Sequence, residues 1–231
     1  MTREEITEEQ LALCKSYEDY ERTGMFTKEQ LEMIKRGYRY GLDVKTFANP
    51  KYSDYQMQAI AIGCQRGLDI RYLTKYRLNA QQAFAILFGL QHGLNIKLFA
   101  NPKYSGIQMW RIADGLYAKI DVSGYCDVTN SADFMENALK GLLIETLEKN
   151  GYTESAYDMK QMIIIARGLN SGLDTSFYDD PEFSNKQMEI ILKGLENRMD
   201  VSSYARTDMS CDDMMKVYKK IEQYMYGDGQ L

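Results

Sequence analysis

Residues 27–53 read TKEQLEMIKRGYRYGLDVKTFANPKYS, and residues 79–105 repeat the pattern as NAQQAFAILFGLQHGLNIKLFANPKYS. The pattern has a period of 26 residues, and its Leu or Met position falls at Leu31, Met57, Ala83, Met109, Met135, Met162, Met188 and Met214. One step, between Met135 and Met162, is 27 residues long. Fixed self-similarity at this length is typical of stacked helical units. The sequence therefore predicts an all-α fold, an α-solenoid of about eight units.

Each unit begins with the start signal of a helix. A small polar residue stands four positions before the Leu or Met position: Thr27, Ser53, Asn79, Ser105, Ser131, Asp158, Ser184 and Ser210. Three residues after most of these comes Gln: Gln30, Gln56, Gln82, Gln108, Gln161 and Gln187. This spacing indicates a capping box, in which the two side chains satisfy backbone N–H groups at the helix start. We expect a helix of about four turns to follow each cap.

Two columns of glycine follow. The first lies inside the expected helix: Gly37, Gly63, Gly89, Gly115, Gly141, Gly168 and Gly194. Glycine within a helix costs about 1 kcal/mol relative to Ala, so we expect the backbone of the neighbouring repeat to approach closely there. The second column, Gly41, Gly67, Gly93 and Gly172, predicts the helix end. An Asp or Asn after it is placed to cap a short second helix.

The repeat also sets the expected domain organisation. Residues 1–25 are predicted to form an N-terminal capping helix, in which Thr7, Gln10 and Leu11 repeat the start signal, and residues 26–231 form the solenoid. The unit at residues 131–157 is irregular, because Phe134 replaces Gln and Glu145 replaces the helix-ending glycine. We expect a longer helix and a bend in this unit.

The composition is that of a globular protein, with 231 residues of which 45% are hydrophobic and 26% charged. No apolar run approaches the roughly 18 residues of a membrane span, and the acidic start is unlike a signal peptide. Four scattered cysteines without a Cys-x-x-Cys pair are typical of reduced thiols: Cys14, Cys64, Cys126 and Cys211. We expect a cytoplasmic protein.

The sequence offers little for catalysis. Its one histidine, His92, stands before the helix-ending Gly93, where a surface role is the ordinary one. There is no metal-ligand spacing, phosphate loop or nucleophile motif. We therefore predict no catalytic residue, no metal and no cofactor, and a protein that is not an enzyme.

The charges divide the chain in two. Residues 26–119 carry 14 Lys or Arg against 6 Asp or Glu, whereas residues 120–231 carry 11 against 20. Within the basic half, six cations repeat at the 26-residue period. The first column is Lys45, Arg71 and Lys97, and the second column is Lys51, Arg77 and Lys103. Equal positions in stacked units share a face about 8–10 Å apart, so each column predicts a ladder of positive charge.

These ladders are the candidate binding site. Three interpretations are open: simple solvation of one edge, binding of an acidic protein surface or nucleoprotein complex, and binding of nucleic-acid phosphates. Candidate side chains for base stacking or for lining a groove are Tyr40, Tyr52, Tyr72, Tyr76 and Tyr104. The acidic second half disfavours a long duplex. Direct nucleic-acid binding by residues 26–119 is therefore the alternative to a protein partner.

Residues 41–52 and 93–104, which share the pattern Gly-Leu-Asp/Asn-x-Lys-x-Phe-Ala-Asn-Pro-Lys-Tyr, resemble a known helical repeat. It recurs in poorly characterised proteins of Firmicutes and of their phages and conjugative elements. The resemblance covers most of residues 26–209 and brings no catalytic residues. It implies a mobile-element setting, and hence a non-enzymatic protein-binding scaffold that inhibits a host defence complex in the manner of an anti-CRISPR protein.

Overall fold

The helices begin where the capping residues stand. A computed structural model describes residues 10–153 and 156–226, and its regular elements within those ranges are all helical. The α-helices are α1 Tyr17–Arg22, α2 Lys28–Arg39, α3 Asp54–Gln65, α4 Arg71–Thr74, α5 Ala80–Gln91, α6 Gly106–Tyr117, α7 Ala132–Lys149, α8 Met159–Leu169, α9 Asn185–Glu196 and α10 Cys211–Tyr226. Short 3₁₀ turns occupy Val44–Thr46, Ile96–Leu98 and Thr175–Phe177. The all-α prediction is confirmed.

The chain forms two compact units, unit 1 at Met1–Ala113 and unit 2 at Asp114–Leu231. Within each unit, successive long helices pack against one another. Their inner faces bury the Leu or Met position and the Ile three residues later, as at Met57 and Ile60 in unit 1 and Met188 and Ile191 in unit 2. None of the helices in the described ranges is long and apolar enough to cross a membrane.

The predicted capping boxes are present at most helix starts. Thr27 accepts a hydrogen bond from the Gln30 backbone N–H, and the Gln30 side chain accepts one from the Thr27 N–H. The long helices of the regular units have 11 or 12 residues, so they are nearer three turns than the four expected. The start signal at Thr7 lies outside the described residues.

The capping glutamines have a second role that the sequence analysis missed. The Gln82 side-chain amide donates to the carbonyls of Pro102 at 3.3 Å and Tyr104 at 2.7 Å. Gln161 and Gln187 make the same two bonds to residues 20 and 22 positions later. Each buried carboxamide therefore joins the start of one long helix to the chain that leads into the next.

The sequence predicted that the glycines within the helices face the backbone of the neighbouring repeat, and this prediction was wrong. A methyl group at Gly63 would lie 2.6 Å from Ile70 Cγ2, and one at Gly89 would lie 2.7 Å from both Ile96 and Phe99. These neighbours belong to the same repeat, since they come 7 and 10 residues later in the turn that follows the helix. Gly63 and Gly89 therefore make room for side chains of their own repeat and not for the backbone of the next one, whereas a methyl group at Gly141 would meet no atom within 4 Å.

The same left-handed turn ends long helices in several repeats, whether or not the residue at that position is glycine. Gly41, Gly67, Gly93 and Gly172 have φ between 63° and 67°, as the left-handed end of a helix requires. At the equivalent points in two other repeats, Lys119 has φ 57° and Arg198 has φ 56°. Both keep the same closing bond, from Ile120 N–H to the Gly115 carbonyl and from Met199 N–H to the Gly194 carbonyl. These two residues therefore hold a conformation that disfavours a side chain.

Replacing either residue with glycine should stabilise the protein. We expect Lys119→Gly and Arg198→Gly each to raise the free energy of unfolding by about 1 kcal/mol, because a non-glycine residue in the left-handed region is strained by roughly that amount. Urea denaturation followed by circular dichroism measures the change. The reverse substitution, Gly172→Ala, should lower stability by a similar amount. Unchanged stability in all three variants would contradict the assignment of strain.

The irregular unit contains the longer helix that the sequence predicted, since α7 has 18 residues. The end of α6 contacts α8 directly, although α7 lies between them in sequence. Arg167 donates to the Tyr117 carbonyl at 3.1 Å, and its guanidinium lies 4.2 Å from the Tyr117 ring centroid. Asn170 donates to the Ala118 carbonyl at 2.9 Å. In a uniform stack each 26-residue repeat would contact only the repeats next to it. The path of the chain therefore changes within unit 2.

Candidate binding surface

The first basic column is exposed and is accompanied by carboxylates. Asp69 lies two residues before Arg71 and binds its guanidinium through both oxygens, at 2.6 to 3.0 Å. This pairing lowers the pKa of Asp69 to about 2. Lys45 has Asp43 at the same spacing, and its ammonium group donates to the Ala12 carbonyl at 3.1 Å. Two members of the first column, Lys45 and Arg71, therefore have a carboxylate in their own turn, whereas Lys97 has Asn95 at that spacing.

The second basic column is also exposed, but its surroundings differ. Lys51, Arg77 and Lys103 each lie two residues before a helix cap, and the residue two positions before them is Asn49, Lys75 or Asn101. The Arg77 Nε donates to the Lys51 carbonyl at 3.0 Å, so these two consecutive members of the column lie side by side. We call Lys51, Lys75, Arg77 and Lys103 the basic edge of unit 1.

The basic edge lies at the positive ends of three helix dipoles. The helices α3, α5 and α6 start just after Lys51, Arg77 and Lys103, and cations near a helix N-terminus are unfavourable. In unit 2 the equivalent residues before α9 and α10 are Glu182 and Asp208, which suit the dipole. The fold therefore does not require positive charge here, although at the start of α3 the carboxylate of Asp54 offsets part of it.

The five tyrosines proposed for stacking are not equally available. Tyr104, a candidate for stacking or for lining a groove, is only 7% exposed and packs in the core. Tyr52 is half-buried and its hydroxyl donates to the Thr74 carbonyl at 2.9 Å. Tyr72 and Tyr76 are half-buried, and only Tyr40 is largely exposed, at 66%. The exposure of each tyrosine depends on its packing, which the sequence pattern did not determine.

A second feature of unit 1 was missed by the sequence analysis. Aromatic side chains follow one another across α3, α5 and α6. The ring centroids of Tyr55 and Phe84 are 6.5 Å apart in an edge-to-face arrangement, and the ring centroids of Phe88 and Trp110 are 5.3 Å apart. Tyr55 is 51% exposed, and the other three are half-buried. We call Tyr55, Phe84, Phe88 and Trp110 the aromatic face.

The aromatic face occupies positions that the repeat does not reserve for apolar residues. Phe84 and Trp110 come one residue after the Leu or Met position, where four other repeats have a polar residue and two have Ile163 and Met215: the polar residues are Glu32, Gln58, Glu136 and Glu189. The signal that would have revealed this face is the single tryptophan, at a position that is polar in four of the eight repeats. The rings of the aromatic face are therefore not part of the core that all repeats share.

A groove between α2 and α3 adjoins this surface. It has a volume of about 380 Å³ and includes Glu32, Arg36 and Gln58 in its lining. A smaller hollow of about 140 Å³ continues from it, with Ile62 and Tyr40 in its wall. Glu32 and Gln58 occupy in α2 and α3 the position that Phe84 and Trp110 occupy in α5 and α6. The same face of unit 1 is thus grooved at one end and aromatic at the other.

The described ranges offer little for chemistry. They contain no cluster of three His, Cys, Asp or Glu side chains that could hold a metal ion, and no disulfide joins the four cysteines, of which Cys14 is buried. No protein-family model, curated protein or solved structure matches the chain. The aromatic face and the basic edge, both in unit 1, are therefore the surfaces on which a function is best sought.

Proposed function

We propose that this protein is a non-enzymatic α-solenoid scaffold of about eight units, and that it binds a protein partner through the aromatic face of unit 1. The observation that carries the proposal is the row of Tyr55, Phe84, Phe88 and Trp110 on the long helices α3, α5 and α6, where Tyr55 pairs with Phe84 and Phe88 pairs with Trp110. Aromatic residues, Trp and Tyr above all, dominate the energetics of protein interfaces.

The repeated contacts support the solenoid arrangement. The bonds from Gln82, Gln161 and Gln187 to residues 20 and 22 positions later fix each long helix to the chain that enters the next. A unit held only by its neighbours gives a row of parallel surfaces, and such rows are the usual binding surfaces of helical-repeat proteins. The grooved and aromatic parts of unit 1 belong to one such row.

The biological setting extends the same proposal. A protein that binds and blocks a host factor, such as a defence complex, needs an extended surface and no catalytic group. The resemblance of residues 41–52 and 93–104 to repeats of phages and conjugative elements supports this setting. Binding of nucleic acid by the basic half is the competing function.

Removing the aromatic face should abolish capture of the partner. We expect Phe84→Ser combined with Trp110→Ser to remove the proteins that the tagged native chain retains from a bacterial host lysate, because truncation of interface aromatics costs about 2 kcal/mol or more each. Mass spectrometry of the retained proteins provides the measurement. Circular dichroism confirms that the variant is folded.

The matched control is Phe134→Ser combined with Tyr224→Ser, which removes two exposed aromatic side chains from unit 2. This control should retain the same proteins as the native chain. Equal capture by the native chain and the Phe84/Trp110 variant would overturn the role of the aromatic face.

A further inference from the structure

The basic edge of unit 1 defines the chemistry of the partner. Resting on the proposed function, we infer that Lys51, Arg77 and Lys103 bind an acidic segment of the same protein partner that contacts the aromatic face. The carboxylates of that segment lie along the edge, and its apolar side chains pack on the aromatic rings.

The position of the edge against the helix dipoles separates it from ordinary surface charge. The N-terminal backbone N–H groups of α3, α5 and α6 already make this side of unit 1 positive. Lys51, Arg77 and Lys103 add to that potential instead of offsetting it, whereas Glu182 and Asp208 offset it in unit 2. A surface on which side chains and dipoles reinforce one another attracts anions strongly and at a cost in stability. Such a cost is explained by a bound anionic partner.

The edge and the aromatic face are close along the same helices. Trp110 lies in the second turn of α6, and Lys103 stands just before the residues that cap that helix. Phe84 has the same relation to Arg77 through α5. Side chains on a helix lean toward its N-terminus, so both rings lean toward the edge. One segment of a partner can therefore contact both surfaces.

An acidic protein segment fits the edge better than a nucleic acid does. Of the two tyrosines that directly follow Lys51 and Lys103, Tyr104 is buried and Tyr52 is half-buried with its hydroxyl bonded to the Thr74 carbonyl, so neither presents an open ring face to a base held by those cations. The acidic residues of the second half would also repel a long polyanion, with 20 Asp or Glu against 11 Lys or Arg in residues 120–231. A short acidic peptide avoids that repulsion.

The test uses two defined probes, a poly-L-glutamate peptide of about 20 residues and a single-stranded oligothymidylate of about 20 nucleotides, with binding measured by fluorescence anisotropy over a range of salt concentrations. We expect the native chain to bind the peptide more tightly than the oligonucleotide at low salt. Lys51→Glu, Arg77→Glu and Lys103→Glu combined should weaken peptide binding at least about tenfold. The control, Lys140→Glu, Lys219→Glu and Lys220→Glu combined, makes the same charge change in unit 2 and should leave it nearly unchanged.

Stability provides an independent readout. If the edge opposes the helix dipoles, Lys51→Glu combined with Lys103→Glu, which keeps the hydrogen bond from Arg77 to the Lys51 carbonyl, should unfold at a temperature about 2–4 °C higher than the native chain. A lower unfolding temperature, or equal loss of peptide binding in the edge variant and its control, would overturn the inference. Tighter binding of the oligonucleotide than of the peptide would also overturn it, in favour of nucleic-acid binding.

Different results would contradict the role of the aromatic face and the binding of an acidic segment. The Phe84/Trp110 variant keeps the basic edge, so it should still bind poly-L-glutamate even though it no longer captures the partner. Loss of capture with intact peptide binding supports both proposals. Capture that survives the edge substitutions contradicts only the acidic-segment inference.

Discussion

Gly194→Ala is expected to lower the free energy of unfolding by about 2–3 kcal/mol, as is typical of overpacking in a core. The added methyl group would collide with the hydroxyl of Tyr204 and would lie 2.8 Å from Val201 Cγ1. Tyr204 is fully buried, and its hydroxyl has no hydrogen-bond partner among the described residues. Burial raises the pKa of Tyr204 to about 12. Chemical denaturation monitored by circular dichroism measures the loss.

A second substitution distinguishes this collision from a general effect of alanine. Tyr204→Phe removes the colliding oxygen and leaves the ring carbon Cζ 3.3 Å from the new methyl group, so it should restore about 1 kcal/mol to Gly194→Ala. Gly141→Ala is the matched control, because a methyl group at Gly141 meets no atom within 4 Å. That control should stabilise the protein by about 1 kcal/mol, since alanine favours a helix over glycine. A destabilised Gly141→Ala would refute the explanation.

Gln56→Ala is expected to have a comparable or larger effect, lowering the free energy of unfolding by about 3 kcal/mol. Gln56 is 0% exposed, and its amide donates to the Leu73 carbonyl at 2.8 Å and the Tyr76 carbonyl at 2.6 Å. Its side-chain oxygen accepts from the Leu78 N–H at 3.0 Å. Removing the side chain leaves these backbone groups without their partner, and each loss costs about 1 kcal/mol or more. Urea denaturation again provides the measurement.

The control for this prediction lies on the same helix. Gln65→Ala changes an exposed glutamine at the end of α3 and should alter stability by less than about 0.5 kcal/mol. Similar losses in both variants would show that the helix, not the connection to the next repeat, is what Gln56 supports. A loss confined to Gln56→Ala supports a stack in which each unit is fixed to its neighbour by a buried carboxamide.

Features that depend on residues close in sequence were predictable. The caps at Thr27 and Ser184 bond to backbone groups three residues away, and the turn at Gly41 closes within the last helical turn. The lengthening of α7 follows from the absence of a glycine at Glu145. Each of these outcomes depends on local dihedral angles and local hydrogen bonds, which a sequence pattern encodes directly.

Features that depend on distant residues were not predictable. The pattern could not reveal that Gly194 faces a tyrosine 10 residues later, or that Gln56 bonds to carbonyls 17 and 20 residues later. Side-chain packing between segments decides all of these.

The sequence by itself determined the all-α class, the period, the helix starts and ends and the division of charge, because each is written in residue type and spacing. Only the tertiary structure brought members of the second basic column into contact across repeats, since the Arg77 side chain donates to the carbonyl of Lys51, 26 residues earlier. It also brought Phe88 and Trp110 together on one face. The physical reason is that electrostatic balance and surface shape depend on neighbours in space, and the chain brings those neighbours together only when its helices pack.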